Sequence, residues 1–288
     1  MAEPSFPSRR AEGHTENGTA WHIHYQVLGS GPDLLLLHGG GPGATGLSNY
    51  SKNLDALACQ YRCWVIDLPG WGQSSKNLNA FGGAGPFQNG ARAVLAFMDA
   101  VGLEKAHLVG NSFGGSAALC LAMEHPQRVD KLVLMGPGGG VVAGATGPTE
   151  GIQQLLTYYL GEGPTLEKLQ AFLKNLVFDQ SLLTPELVQQ RFKASNDPAI
   201  CANPPLVPPP GGPGKETFIS LDTRLASLPH RALFVWGLQD RVNPAAGMEP
   251  FKAMPQADFV LLARCGHWAQ WEHAERFNDL VLGFLRHG

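Results

Sequence analysis

Short, wholly apolar runs punctuate this chain at intervals. Leu34-Leu35-Leu36-Leu37, Cys63-Trp64-Val65-Ile66, His107-Leu108-Val109 and Leu132-Val133-Leu134-Met135 fall in the first half. Ala232-Leu233-Phe234-Val235-Trp236 and Phe259-Val260-Leu261-Leu262 come near the end. Continuous apolarity over so short a span is what a strand covered on both faces requires. Residues 21–28 instead alternate at period two, which predicts a half-exposed, antiparallel edge strand. Between the runs, residues 91–101, 116–125 and 274–286 carry apolar side chains at helical spacing. Strands alternating with helices predict the α/β class, with a mostly parallel central sheet flanked by helices.

The alternation stops between about residues 137 and 228. That stretch is rich in Gly and Pro from 137 to 148, then shows helical periodicity over 152–159, 166–177 and 185–194. It closes on the proline-rich segment 204–214, which cannot be helix. The pattern predicts a core built from 1–136 and 229–288, with 137–228 inserted as a helical lid. The proline-rich segment is expected to be a mobile surface loop on its exit side. The polar stretch 1–18 reads as a loosely held lead-in with no apolar signal-peptide core.

Composition narrows the partner. With 288 residues, 44% of them hydrophobic, the chain can bury a full core. A net charge of −3, spread without blocks, gives no basic footprint for nucleic acid. No apolar run is long enough to cross a membrane as a helix. The five cysteines are scattered and none has C-x-x-C spacing, so neither a zinc site nor a disulfide framework is indicated. The expectation is a cytoplasmic protein with reduced thiols, acting on a small molecule without metal or cofactor. The sequon Asn17-Gly18-Thr19 is discounted without a secretion signal.

The candidate chemistry begins at Gly110-Asn111-Ser112-Phe113-Gly114, a G-x-S-x-G element between an apolar run and a helix. Small residues flank the serine because a sharp strand-to-helix turn leaves no room for side chains. A serine hydroxyl needs a base, and on this architecture the partners follow in the order Ser, Asp, His. Asp240 and His267 each lie just past a late apolar run, where open α/β sheets put their ligand chemistry. His267 would take the Ser112 proton, while Asp240 would fix the imidazole tautomer and stabilise the imidazolium. Asp67, also past a strand, is read as part of a structural turn because it breaks that order. The glycine run His38-Gly39-Gly40-Gly41-Pro42-Gly43 lets the main chain approach a ligand, and it lacks the ending of a phosphate loop. The Gly40 and Phe113 amides are the candidate oxyanion hole.

These motifs resemble the α/β-hydrolase fold over roughly the whole chain. Several stretches resemble more narrowly the meta-cleavage product hydrolases, bacterial enzymes that hydrolyse a carbon–carbon bond after aromatic ring opening. They are Leu37-His38-Gly39-Gly40-Gly41-Pro42-Gly43-Ala44, Ser48-Asn49-Tyr50, Ala106-His107-Leu108-Val109-Gly110-Asn111-Ser112 and Leu134-Met135-Gly136-Pro137-Gly138-Gly139. Phe178-Asp179-Gln180-Ser181-Leu182, in the expected lid, and Cys265-Gly266-His267-Trp268-Ala269-Gln270-Trp271-Glu272-His273 complete the set. The resemblance implies an anionic 2-hydroxy-6-oxo-hexa-2,4-dienoate substrate. Its products would be 2-hydroxypenta-2,4-dienoate and a carboxylic acid, after the dienol has become its keto form. It also implies substrate contacts from Asn111, Arg191, Trp268, Asn49 and Gly41, and a homodimer or larger homo-oligomer. Independently, an anion in an apolar cleft needs a cationic partner, and arginine offers a bidentate fork. The chain departs from the family pattern at Val242-Asn243-Pro244, where relatives carry an aromatic, and in the proline-rich segment.

The same triad would serve an ordinary carboxylesterase or a proline iminopeptidase-like enzyme. Against the peptidase, the expected lid shows no acidic cluster to hold an α-amino group; Glu162 and Glu167 are isolated. A non-catalytic small-molecule receptor on this fold is the reading from another class.

Overall fold

The computed structural model describes residues 6–138, 148–207 and 224–287. All six apolar runs become strands: β3 (Asp33–Leu37), β4 (Arg62–Ile66), β5 (Ala106–Asn111), β6 (Val129–Met135), β7 (Ala232–Gly237) and β8 (Ala257–Leu262). Two strands precede them, β1 (Arg9–His14) and β2 (Ala20–Leu28). The eight form one sheet in the order β1-β2-β4-β3-β5-β6-β7-β8. The pairs β1–β2 and β2–β4 are antiparallel, and every pair from β4 to β8 is parallel.

Successive side chains of a strand point to opposite faces, and the leucine run of β3 divides accordingly. Leu35 and Leu37 join one core with α3 (Pro86–Ala100) and α4 (Phe113–Glu124). Leu34 and Leu36 join the other with α1 (Gly46–Tyr50), α2 (Leu54–Ala58) and α10 (Ala274–Arg286). Between β6 and β7 lie α5 (Glu150–Thr157), α6 (Leu166–Leu176), α7 (Pro185–Ser195) and α8 (Pro198–Ala202). Of these, α5, α6 and α7 share an apolar cluster of their own, built on Tyr158, Leu169, Phe172, Leu173 and Leu187. It closes onto Val242 and Trp268, which come from loops after β7 and β8. The short α9 (Ala269–Glu272) follows Trp268.

Expectations at both edges of the sheet need correction. The polar stretch 1–18 holds β1, so β2 is an inner strand and not the edge. β1 is hard to read because only Ala11 of its RRAEGH is buried; its pairing comes from the β2 main chain. β8 is the far edge of the sheet with Leu261 exposed, so its apolar run is not covered on both faces. The Gly/Pro-rich stretch from 139 to 147 and the proline-rich segment beyond Val207 lie outside the described residues.

Candidate active site

Ser112 stands between the last residue of β5 and the first of α4, with φ 50° and ψ −112°. A non-glycine residue with such a backbone is strained and persists only where its surroundings impose it. They do so here through the Ser112 N–H, which donates to Met135 O at 2.8 Å, and Ser112 O, which accepts from Ser116 N. The motif's glycines are sterically required. A Cβ on Gly110 would lie 2.6 Å from Gly115 Cα, and one on Gly114 would lie 2.3 Å from Leu37 O.

Asp240 and His267 follow β7 and β8 and are both buried. His267 Nδ1–H donates to Asp240 Oδ2 at 2.7 Å, while Asp240 Oδ1 accepts from the Val242 and Asn243 amides at 2.8 Å each. The main-chain amides of Val242 and Asn243 thus fix the acid. β6 lies between the serine and acid strands and is followed directly by Gly136, φ 46°. A Cβ there would sit 3.0 Å from the His267 ring, so the missing side chain leaves the crossing open. His267 Nε2 is buried without a protein hydrogen-bond partner among the described residues, and it lines the same cavity as Ser112.

The glycine loop after β3 forms one wall of this cavity. His38, wholly buried, donates from Nδ1 to Gly39 O and accepts the Leu68 N–H on Nε2, both at 2.8 Å. Burial lowers its proton affinity, which keeps the imidazole in the neutral form that this bonding needs. Gly40 approaches Phe113 so closely that a Cβ would lie 3.1 Å from Phe113 Cβ. The Phe113 ring turns away, against Trp71 and Phe87. Asn49 lines the cavity, but its amide is committed to the loop: Oδ1 accepts from Gly39 N, and Nδ2 donates to Thr45 O.

Arg191 enters the cavity from α7. Leu187 and Val188, one turn earlier, place it on the helix's buried face, and it is 1% exposed. Its Nε donates to Pro42 O at 2.9 Å, its guanidinium lies 5.1 Å from the Trp268 ring centre, and Nη1 has no partner among the described residues. No described carboxylate pairs with it. Burial lowers its proton affinity to about 10, so it stays cationic at neutral pH. Gly41 makes room for the fork, since a Cβ there would meet Arg191 Nη2 at 3.0 Å. Asn111 donates to His267 O and leaves its buried Oδ1 unpartnered among the described residues. Leu155, Phe172, Leu176 and Val242 supply the apolar part of the lining.

Of the residues expected from sequence, Ser112, His267, Gly40, Gly41, Asn49, Asn111, Arg191 and Trp268 meet at one cavity, with Asp240 directly behind His267. Asp67 stands apart. Its Oδ2 lies 2.9 Å from His24 Nδ1, and its carboxylate also accepts from the Gly46 and Gln73 amides, a turn-forming role. Sequence reasoning missed His38 as the brace of the glycine loop. It also missed Leu155 and Phe172, whose helical spacing signals only a core position.

Comparison with known proteins bears on the same arrangement. The model of the alpha/beta hydrolase fold family matches residues 33–274. A 2-hydroxy-6-oxononadienedioate/2-hydroxy-6-oxononatrienedioate hydrolase of Burkholderia vietnamiensis is 42% identical, over 94% of this chain and 93% of its own length. The chain belongs to the α/β-hydrolase fold family, among its meta-cleavage product hydrolases. A 2-hydroxy-6-oxo-6-phenylhexa-2,4-dienoate hydrolase of Burkholderia cepacia is 41% identical, over 93% of this chain and 92% of its own. Among solved structures, the enzyme of that name from a Rhodococcus species superposes with a TM-score of 0.77 at 30% identity, covering 97% of this chain and all of its own.

Proposed function

We propose that this meta-cleavage product hydrolase cleaves the C5–C6 bond of a 2-hydroxy-6-oxo-hexa-2,4-dienoate through Ser112, His267 and Asp240. The observation that carries the reading is Arg191, a buried guanidinium without a carboxylate partner among the described residues, on the cavity that holds Ser112 and His267. A buried cation unpaired by the protein calls for an anionic ligand. Relatives named for dienoate substrates support the same class.

In this reading the dienoate carboxylate pairs with Arg191, and Asn111 and Trp268 flank the polar end. Once the substrate is in its keto form, His267 Nε2 takes the Ser112 proton and the hydroxyl oxygen attacks C6. The Gly40 and Phe113 amides receive the developing oxyanion at the α4 N-terminus. The C5–C6 bond then breaks, its electron pair forming the C4–C5 double bond while the C3–C4 pair shifts to C2–C3. The C2 carbonyl pair moves onto its oxygen, where the His267 proton is returned to give the 2-hydroxypenta-2,4-dienoate. Water releases the carboxylic acid from Ser112 and restores the resting state. Asp240 holds the imidazole tautomer throughout.

Residues 137–228 act as a lid, and Val242, smaller than an aromatic, widens the space for the C6 substituent. The reading extends to a cytoplasmic homodimer or larger homo-oligomer, which size-exclusion chromatography with light scattering tests. Among the described residues no helix is long and apolar enough to cross a membrane. The deciding experiment follows the yellow dienolate absorbance when purified protein meets a ring-fission product. Its decay, together with fluorophosphonate labelling of Ser112, is the expected result. Turnover of simple aryl esters without action on any dienoate would replace this reading with a carboxylesterase.

A further inference from the structure

The loop that carries His267 is hydrogen-bonded to the core, through Gln239 and Asn111, and also to the helical insertion. The His267 and Trp268 amides both donate to Leu176 O, at 2.7 and 3.2 Å. The Gly266 amide donates to Glu272 Oε1 at 2.6 Å. The other oxygen of that carboxylate accepts from two amides of the insertion, Phe178 at 2.6 Å and Asp179 at 3.2 Å. One side chain thus joins two main-chain segments that lie about ninety residues apart in the chain.

The acid's loop is fastened to the same segment. Arg241, next to Asp240, donates from Nη2 to Lys174 O and, at 2.9 Å, to Val177 O. Contact is close: a Cβ on Gly266 would lie 2.7 Å from Leu176 O and 3.0 Å from Phe178 N. Residues 174–179 therefore form a strap across both triad loops. Leu176, within it, also lines the cavity.

We propose that Glu272 is a positioning residue that locks the catalytic-base loop to this strap, so that His267 is aligned only while the insertion is seated. Amides bonded to a carboxylate make charge-assisted bonds, stronger than neutral ones and directional. Burial raises the proton affinity of Glu272, while the three amides and the nearby His273 oppose that shift. Arg241 does on the acid side what Glu272 does on the base side. Proper spacing between imidazole and hydroxyl thus depends on groups that touch neither the substrate nor Ser112. The inference rests on the triad reading above but not on the identity of the dienoate.

The test is the rate at which a fluorophosphonate modifies Ser112, per folded molecule, in wild type and Glu272→Gln. The amide replaces one acceptor oxygen with a donor that faces another donor. A misplacement near 1 Å costs about 100-fold in reactivity, so labelling rate and kcat should fall together toward that size. KM should change far less, because Arg191 is undisturbed. A folded Glu272→Gln protein that labels at the wild-type rate overturns the proposal. Should that variant fail to fold, Arg241→Gln carries the test, since Arg241 is exposed. Slower labelling supports the strap, and unchanged labelling refutes it. Wild type that labels at Ser112 yet turns over no dienoate sinks the substrate reading alone, leaving the strap to stand or fall on the labelling rates.

Discussion

Replacing Arg191 with Met separates substrate recognition from folding. Methionine keeps an unbranched apolar stem against Trp268 and removes the charge, the fork and the Nε bond to Pro42 O. Each hydrogen bond to a charged group contributes about 1.5–3 kcal/mol. A bidentate pair with the dienoate carboxylate is therefore worth about 3–6 kcal/mol in the reacting complex. At about 1.4 kcal/mol per decade, kcat/KM for a dienoate should drop by a factor of about 10² to 10⁴. Folding should respond differently. The variant loses one bond and a cation–π contact, about 2–5 kcal/mol together. It also escapes the desolvation of a buried guanidinium, several kcal/mol of the opposite sign. The melting temperature should stay near wild type or rise. Stopped-flow decay of the dienolate absorbance, turnover of a neutral aryl ester and a thermal melt read these effects separately. Equal losses on dienoate and ester, with a clearly lower melting temperature, would show that Arg191 merely braces the fold.

Asp240→Asn should leave the fold intact and lower kcat by about 10⁴-fold, because the wrong imidazole tautomer then faces Ser112; dienolate decay measures it. Gly114→Ala should destabilise by more than about 3 kcal/mol, since its methyl meets the Leu37 carbonyl; denaturant titration checks this. Burial lowers the folded-state proton affinity of His38 below its ordinary 6.5. Below that pH the unfolded chain takes up a proton that the fold refuses, so stability falls as pH drops from 7 toward 5. Melting temperatures across that range should show the slope, and His38→Gln should flatten it.

The fold was legible where burial is symmetric. The inner strands β3 to β7 carry apolar runs that face both sides of the sheet, so they stand out without any partner in view. β1 offers no such signal, because one buried alanine among charged residues looks like a tail until β2 pairs with it. The short α1 and α2, five residues each, are too brief to show a period. At the site, Ser112, Asp240 and His267 could be read from order and from their places at strand ends. Arg191 carried a signal that was passed over: it sits on the same helix face as Leu187 and Val188. The bonds of Glu272 left no trace of this kind, because its partners are main-chain amides, which any residue but proline can present.

The φ of 50° at Ser112 bears on how long the molecule survives as well as on what it does. A residue locked in so sparsely populated a conformation raises the energy of the native state by about 1–3 kcal/mol. Glycine adopts that geometry at little cost. The chain in which position 112 is glycine should therefore outlast its working counterpart on heating, which makes durability a poor guide to competence when variants of this protein are screened.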